Sequence, residues 1–244
     1  MNDSQQAFYD RYIDEKVQGA PSLHRGRRVI ELVDATGSVL DVGCGTGELL
    51  EAVVRAKPGL AGGVGMDLAA TVTSRLAARG LRGVVGDLNQ AWPFPSEAFD
   101  NVIAAEVIEH VFDTDSFVRE AWRVLKPGGA FIVTTPNLAY AANRLLLTLG
   151  IQPLFTETST SRSLGRWLGA LGQGNPTQGH LKIFTGGALR ELLEMSNFKV
   201  ETVRGYRFIQ SGVLGAVDHM LTLRPTLSAG FAVRARKAGS GVPA

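Results

Sequence analysis

Cysteine is almost missing from this chain of 244 residues: Cys44 stands alone, so no disulfide can form within it. Stability has to come from a buried core, and a reducing, cytoplasmic compartment is the expectation. A long hydrophobic run is missing too. The most apolar stretch, residues 138–151, is too short to cross a bilayer and carries Arg144. Near the start, Asp3, Asp10, Arg11, Asp14, Glu15 and Lys16 leave no apolar centre for a secretory signal. Nor does one sign of charge dominate. With 25 basic against 23 acidic side chains, no strong field draws the protein to nucleic acid or to a membrane surface. Repeats and low-complexity tracts are absent. A hydrophobic content of 45% is enough for a full core, and the length suits a single α/β domain, 1–244, with embellishments.

Glycine, by contrast, is plentiful, and it alternates in Val39-Leu40-Asp41-Val42-Gly43-Cys44-Gly45-Thr46-Gly47. An apolar run of strand character enters this loop and a helical pattern, 48–57, leaves it. That order holds a nucleotide-sized ligand at the carboxyl edge of a parallel sheet. Glycines let the backbone turn sharply and come close to the ligand, and the helix start offers N–H groups. In isolation the loop reads equally as a tight strand-to-helix turn, with Cys44 a small loop residue. Its Gly-x-Gly-x-Gly spacing is not the Gly-x-Gly-x-x-Gly that wraps a pyrophosphate, which speaks against a dinucleotide-dependent dehydrogenase. A second apolar strand, 61–66, ends in Asp67, whose carboxylate can accept both hydroxyls of a ribose.

These residues resemble motif I of the class I S-adenosylmethionine (SAM)-dependent methyltransferases, with Asp67 in the ribose-binding place. The resemblance continues through Val84-Val85-Gly86-Asp87-Leu88, Phe99-Asp100-Asn101-Val102-Ile103 and Val124-Leu125-Lys126-Pro127-Gly128-Gly129, and covers residues 37–136. It implies a Rossmann-like α/β fold: a seven-stranded, mostly parallel sheet with helices on both faces and an antiparallel last hairpin. It further implies SAM held by Asp41, Gly43, Cys44, Gly45, Gly47, Asp67, Leu68, Asp87, Leu88 and Glu106, with Asp87 and Leu88 beside the adenine.

Around that frame the pattern predicts an N-terminal helical cap, 1–36, with Val29, Ile30, Leu32 and Val33 as its core face. Phe8, Tyr9 and Tyr12 either dock that cap or pack over a ligand. Helices are expected at 69–79, from near Asp113, at 137–149 and at 186–195, and strands at 82–86, 98–105, 130–134, 199–203 and 231–236. Phe117, Val118, Ala121, Trp122 and Leu125 form an apolar stripe. Residues 137–180 read as a lid or substrate-binding insertion. Their 152–178 part is rich in Ser, Thr, Gly and Pro, and loops this long inside compact domains are commonly functional.

The stretch Glu106-Val107-Ile108-Glu109-His110 ends the fourth strand. If it is helical, positions 106, 109 and 110 share one face. Two carboxylates and an imidazole there can bind a divalent cation or move protons, with His110 and Glu109 as the candidate catalytic groups. Paired with the later Gly179-His180-Leu181-Lys182-Ile183-Phe184-Thr185, the stretch resembles the metal site of small-RNA 2′-O-methyltransferases. Glu106, Glu109 and His110 also resemble that of ubiquinone-pathway O-methyltransferases. The first of these resemblances implies Mg²⁺ on Glu106, Glu109, His110 and His180. The same Glu-x-x-Glu-His also occurs in metal-free members, so both roles stay open. A cation holding vicinal oxygens suits a diol-bearing hydroxyl acceptor, and the leading expectation is O-methylation of a small molecule such as a sugar, glycoside or natural product. The alternative is a partner protein of methionine biosynthesis: Thr135-Pro136-Asn137, Arg144-Leu145-Leu146-Leu147, Pro153 and His180 are similar to the MetW proteins.

Overall fold

The computed structural model describes residues 23–239. Phe8, Tyr9, Tyr12 and most of the expected cap lie outside the described residues. Seven strands make one sheet in the order β3-β2-β1-β4-β5-β7-β6. They are β1 (Thr36–Val42), β2 (Gly59–Asp67), β3 (Arg82–Val85), β4 (Phe99–Ala105), β5 (Leu125–Pro136), β6 (Phe198–Tyr206) and β7 (Gly230–Lys237). All neighbours pair in parallel except β7, which is antiparallel to both β5 and β6. The strand β6 therefore points the same way as β5. The chain builds outward from β1 through β2 to β3, then crosses back to place β4 on the other side of β1. That reversal opens a crevice at the carboxyl ends of β1 and β4.

Side chains of the central strands alternate between two cores, as a two-residue period requires. Leu40, Val42, Val102, Ala104, Phe131 and Val133 face one core. Val39, Ile103, Ala130 and Ile132 face the other. Because both faces are covered, these strands are nearly continuous apolar runs. The second core takes Val29, Leu32 and Val33 of α1 (Leu23–Leu32) and its exit, and Leu50 and Val53 of α2 (Glu48–Ala56). It also takes Leu76 of α3 (Ala70–Ala77). The first core takes Phe117, Val118, Ala121 and Trp122 of α4 (Thr114–Val124), and Leu189 and Leu193 of α6 (Gly186–Met195). The start of α4 is fixed by Asp113, whose carboxylate accepts from the Ser116 N–H at 3.0 Å. Helices thus lie on both faces, and the Rossmann-like sheet with its antiparallel last strand pair is as expected.

Two elements differ from the sequence reading. The helix expected over 137–149 is shorter, α5 (Ala141–Thr148). Asn137 is fully buried; its amide donates to the Ser228 carbonyl at 2.8 Å and its Oδ1 accepts from the Ala139 N–H at 2.9 Å, so the chain turns before it coils. A further helix, α7 (Gly212–Leu221), was not expected at all. Residues 152–178 carry little regular structure beyond a turn of 3-10 helix, Gly169–Leu171. They are nevertheless pinned from inside: buried Arg166 donates to the carbonyls of Pro153 and Thr156, and Asn143 brackets Leu154 through both its backbone N–H and its carbonyl. Among the described residues no helix is long and apolar enough to cross a membrane.

Candidate active site

The glycine loop hangs from β2. Both Gly43 and Cys44 donate their N–H to the Met66 carbonyl, at 2.7 and 3.1 Å. Gly43, Gly45 and Gly47 all hold positive φ, which side chains rarely adopt. At Gly45 an added Cβ would meet nothing within 4 Å, because it would project into a cavity; at Gly43 it would lie 2.6 Å from Val107 Cγ2. Asp67 closes the loop from the tip of β2, one carboxylate oxygen accepting from the Gly45 N–H at 3.0 Å and the other from the Ala69 N–H at 3.1 Å.

The cavity above measures about 470 Å³. Gly43, Gly45, Asp67, Leu68, Asp87, Leu88 and Glu106 of the expected cofactor set line it. Asp41, Cys44 and Gly47 do not. Asp41 lies buried beneath the loop, where burial, with Asp67's charge adding, pushes its carboxyl up to about 8. The Cys44 thiol is turned toward Gly65, and burial pushes its pKa far up, so it is an inert packing group. Gly47 caps α2, and an added Cβ there would lie 2.9 Å from Leu76.

After β4 the backbone does not continue as a helix. Glu106 takes a left-handed conformation (φ 58°), and only Ile108–His110 forms a 3-10 turn. The reason lies far away in sequence. The Glu106 N–H donates to the Thr134 carbonyl at 3.0 Å, while its Oε1 accepts from Thr134 Oγ1 at 3.0 Å and from the Tyr206 hydroxyl at 2.5 Å. Its other oxygen faces Arg25 at 3.5 Å. Glu106 is thereby turned away from the helical face it would share with Glu109 and His110.

Glu109 and His110 meet His180 instead. Among the described residues these three form the one group whose potential ligand atoms all lie within 4.8 Å of one another. The rings of His110 and His180 are 4.9 Å apart. Two segments are zipped to bring this about: the Leu181 and Lys182 N–H groups both donate to the Glu109 carbonyl, at 2.8 and 3.1 Å. Glu157 reaches in from the 152–178 segment, and its carboxylate accepts from the N–H groups of Gln178, Gly179 and His180 at 2.5, 2.8 and 3.0 Å. The His110 Nδ1 lies 3.0 Å from the Gly179 carbonyl and the His180 Nδ1 2.7 Å from the Phe155 carbonyl. A carbonyl can only accept, so both rings carry a proton at Nδ1, which leaves Nε2 as the atom able to offer a lone pair. Glu109 is completely buried; one oxygen accepts from Thr135 at 3.0 Å and the other has no hydrogen-bond partner among the described residues. Burial, reinforced by Glu106, pushes its carboxyl well above the usual range. Two imidazole nitrogens beside a carboxylate oxygen that has no hydrogen-bond partner among the described residues fit a divalent cation.

Comparisons with known proteins identify the family. Residues 9–203 match the family described as Methyltransferase domain, most of the chain's length. The chain belongs to the class I methyltransferase family. It is 30% identical over 215 residues to the mitochondrial ubiquinone biosynthesis O-methyltransferase of Mus musculus, a match covering 84% of this chain and 50% of that protein. It is 39% identical over 106 residues to the ubiquinone biosynthesis O-methyltransferase of Bradyrhizobium sp. (strain ORS 278), covering 41% of this chain and 40% of that one. The chain thus spans about half the length of the curated relatives it matches. A SAM-dependent methyltransferase structure from Mesorhizobium loti shares the fold, with a TM-score of 0.60 at 18% identity over 88% of this chain and 98% of that one.

Arg25, Asn89 and Tyr206 also stand around the site and were not anticipated, while Thr160, Thr177 and Gln178 come from the segment read as a lid without being singled out. For Tyr206 a signal existed: two antiparallel pairings after β5 return β6 to the parallel direction, which brings its carboxyl end to the same edge as Glu106. Arg25 comes from α1, and the others sit on loops whose paths the sequence does not specify.

Proposed function

We propose that the protein moves the methyl group of SAM to a hydroxyl of a small, diol-bearing molecule such as a sugar, glycoside or catechol-type natural product. The observation that carries this reading is the Glu109–His110–His180 cluster in the same cavity as the glycine loop and Asp67. Relatives named as O-methyltransferases of ubiquinone biosynthesis support a hydroxyl acceptor.

SAM supplies an already electrophilic sulfonium methyl, so the protein has to position and deprotonate rather than form a covalent intermediate. The glycine loop would receive the methionine part, Asp67 the ribose hydroxyls, and Asp87 with Leu88 the adenine. Holding the acceptor oxygen in line with the bond to be broken supplies up to about 7–11 kcal/mol of the barrier. Without a cation, the hydroxyl proton passes to Nε2 of His110, the nitrogen opposite the one that donates to the Gly179 carbonyl. A divalent cation on Glu109, His110 and His180 would occupy that nitrogen instead, lower the pKa of the hydroxyl so that its proton leaves to water, and fix a vicinal oxygen.

The test is incubation with labelled SAM and a panel of sugars, catechols and carboxylic acids, with and without EDTA. Methyl transfer to a hydroxyl that stops in EDTA and returns with Mg²⁺ or Mn²⁺ is the expected result. Full turnover in EDTA would remove the cation and leave His110 as the base. Transfer only to carboxylates or nitrogen would refute the hydroxyl reading.

A further inference from the structure

Beside the cofactor cavity lies a second chamber of about 230 Å³. The two share Arg25, Glu106, Gln178 and His180, so His180 stands in the doorway between them. Inside, Phe155 and Phe208 meet edge to face, with ring centres 5.2 Å apart, and form an apolar wall. The chamber's charges do not balance. The carboxylate of Glu106 is already engaged by Arg25, Tyr206 and Thr134. Arg207, which also lines the chamber, makes no ion pair or hydrogen bond among the described residues, and its Nε is buried with no acceptor. A buried donor on a charged group is costly to leave unmade.

The surroundings hold Arg207 in that position. On one side Tyr206 is locked between the Glu106 carboxylate and Gly230, where an added Cβ would lie 2.2 Å from the ring. On the other, buried Asp218 accepts from the N–H groups of Phe208 and Ile209, both at 2.7 Å. The turn is thus fixed at both ends around a cation that has no counter-ion among the described residues. Its two terminal nitrogens stay accessible, and that edge of a guanidinium matches the two oxygens of a carboxylate.

We propose that this chamber seats the methyl acceptor and selects a small molecule bearing a carboxylate, with Arg207 as the counter-ion and the acceptor hydroxyl turned to His180. This rests on the hydroxyl-acceptor reading given above and adds the charge of the substrate. The body of the acceptor lies against Phe155 and Phe208. Arg207 is a specificity-determining residue: it touches the substrate far from the reacting atoms.

The protein loaded with S-adenosylhomocysteine is titrated by calorimetry with 3,4-dihydroxybenzoate, its primary amide, and 3,4-dihydroxyphenylphosphonate. The carboxylate should bind about 10- to 100-fold more tightly than the amide, the range expected of a charge-assisted hydrogen bond. Arg207→Gln should erase that preference and Arg207→Lys should restore part of it, with S-adenosylhomocysteine binding as the check that each variant is folded. Equal binding of acid and amide, no binding of the acid, or a preference that survives Arg207→Gln would overturn the inference. Tighter binding of the phosphonate would overturn the choice of carboxylate. The two readings fail separately. Acid held through Arg207 without methyl transfer to its hydroxyls would refute only the activity, and equal transfer to acid and amide would refute only the charge selection.

Discussion

Asp41 makes the stability of the ligand-free protein depend on pH in an unusual direction. Its carboxyl is pushed from an ordinary 3.8 up to about 8 by burial and by the charge of Asp67. An acid whose folded pKa is raised stabilises fully only below the unfolded value, and that contribution is lost as pH rises toward the folded one. Between about pH 4 and the raised value of about 8, folding must therefore take up a proton. The loss is about 1.36 kcal/mol per pH unit, which comes to about 4 kcal/mol at pH 7. That is a large share of the 5–15 kcal/mol typical of a whole domain, so about 4 kcal/mol should be visible. Asp41→Asn keeps the shape and removes the titration. A buried amide short of partners would lower its stability by a constant of about 1–3 kcal/mol, so the diagnostic is the slope and not the offset. Urea unfolding from pH 5.5 to 8 should show the variant gaining on the native protein by about 1.4 kcal/mol per pH unit, then no further. A difference independent of pH, or one that shrinks as pH rises, would refute the argument. The cation of bound SAM favours the ionised form, so binding at pH 7 should release a proton, and calorimetry in two buffers of different ionisation heat should find none released by Asp41→Asn.

Asp67→Ala should weaken SAM binding by at least about 10-fold, because it removes the expected acceptor of the ribose hydroxyls together with the Gly45 contact; unchanged affinity in calorimetry would remove Asp67 from the cofactor site. Gly230→Ala drives a methyl group into the Tyr206 ring and should lower stability by about 1–3 kcal/mol in denaturant titrations. A wild-type midpoint would show that the strand end is soft. Glu157→Ala leaves the N–H groups of residues 178–180 without their carboxylate. Limited proteolysis should then cut within 158–177 at least about 10-fold faster while the sheet stays intact, and an unchanged rate would mean that those bonds do not hold the segment.

The frame was legible because its signals are local. Apolar strands entering glycine or aspartate, as at Gly43, Asp67 and Asp87, mark carboxyl ends of a parallel sheet, and the helices between them carry their own periodicity and caps. The helix α7 escaped because its sequence, with Gly212 and Gly215 among mostly apolar residues, shows neither a polar face nor a side-chain cap. The orientation of Glu106 escaped for a different reason: it is fixed by Tyr206, a hundred residues further on. Nothing between positions 106 and 110 distinguishes a helical turn from a left-handed one followed by a 3-10 turn. His180 was found through resemblance, and its meeting with His110 depends on hydrogen bonds made by backbone atoms of residues 109, 155 and 179. Arg207 was invisible, since a lone arginine after a strand carries no signal until the chamber around it is known.

The grip of Glu157 on residues 178–180 has a consequence for how such a protein can change over time. It brings the two ends of residues 158–177 together at one point, outside every strand of the sheet. What lies between can be lengthened, shortened or exchanged around Arg166, whose bonds to the Pro153 and Thr156 carbonyls have to be kept, and doubling a loop costs only about 0.6 kcal/mol. Thr160 and Thr177 come from that same stretch and line the cofactor cavity. One swappable cassette therefore contributes part of the cavity wall while Glu109, His110 and the glycine loop stay in place, so a descendant could acquire a new acceptor by replacing one closed loop rather than redesigning its catalytic groups.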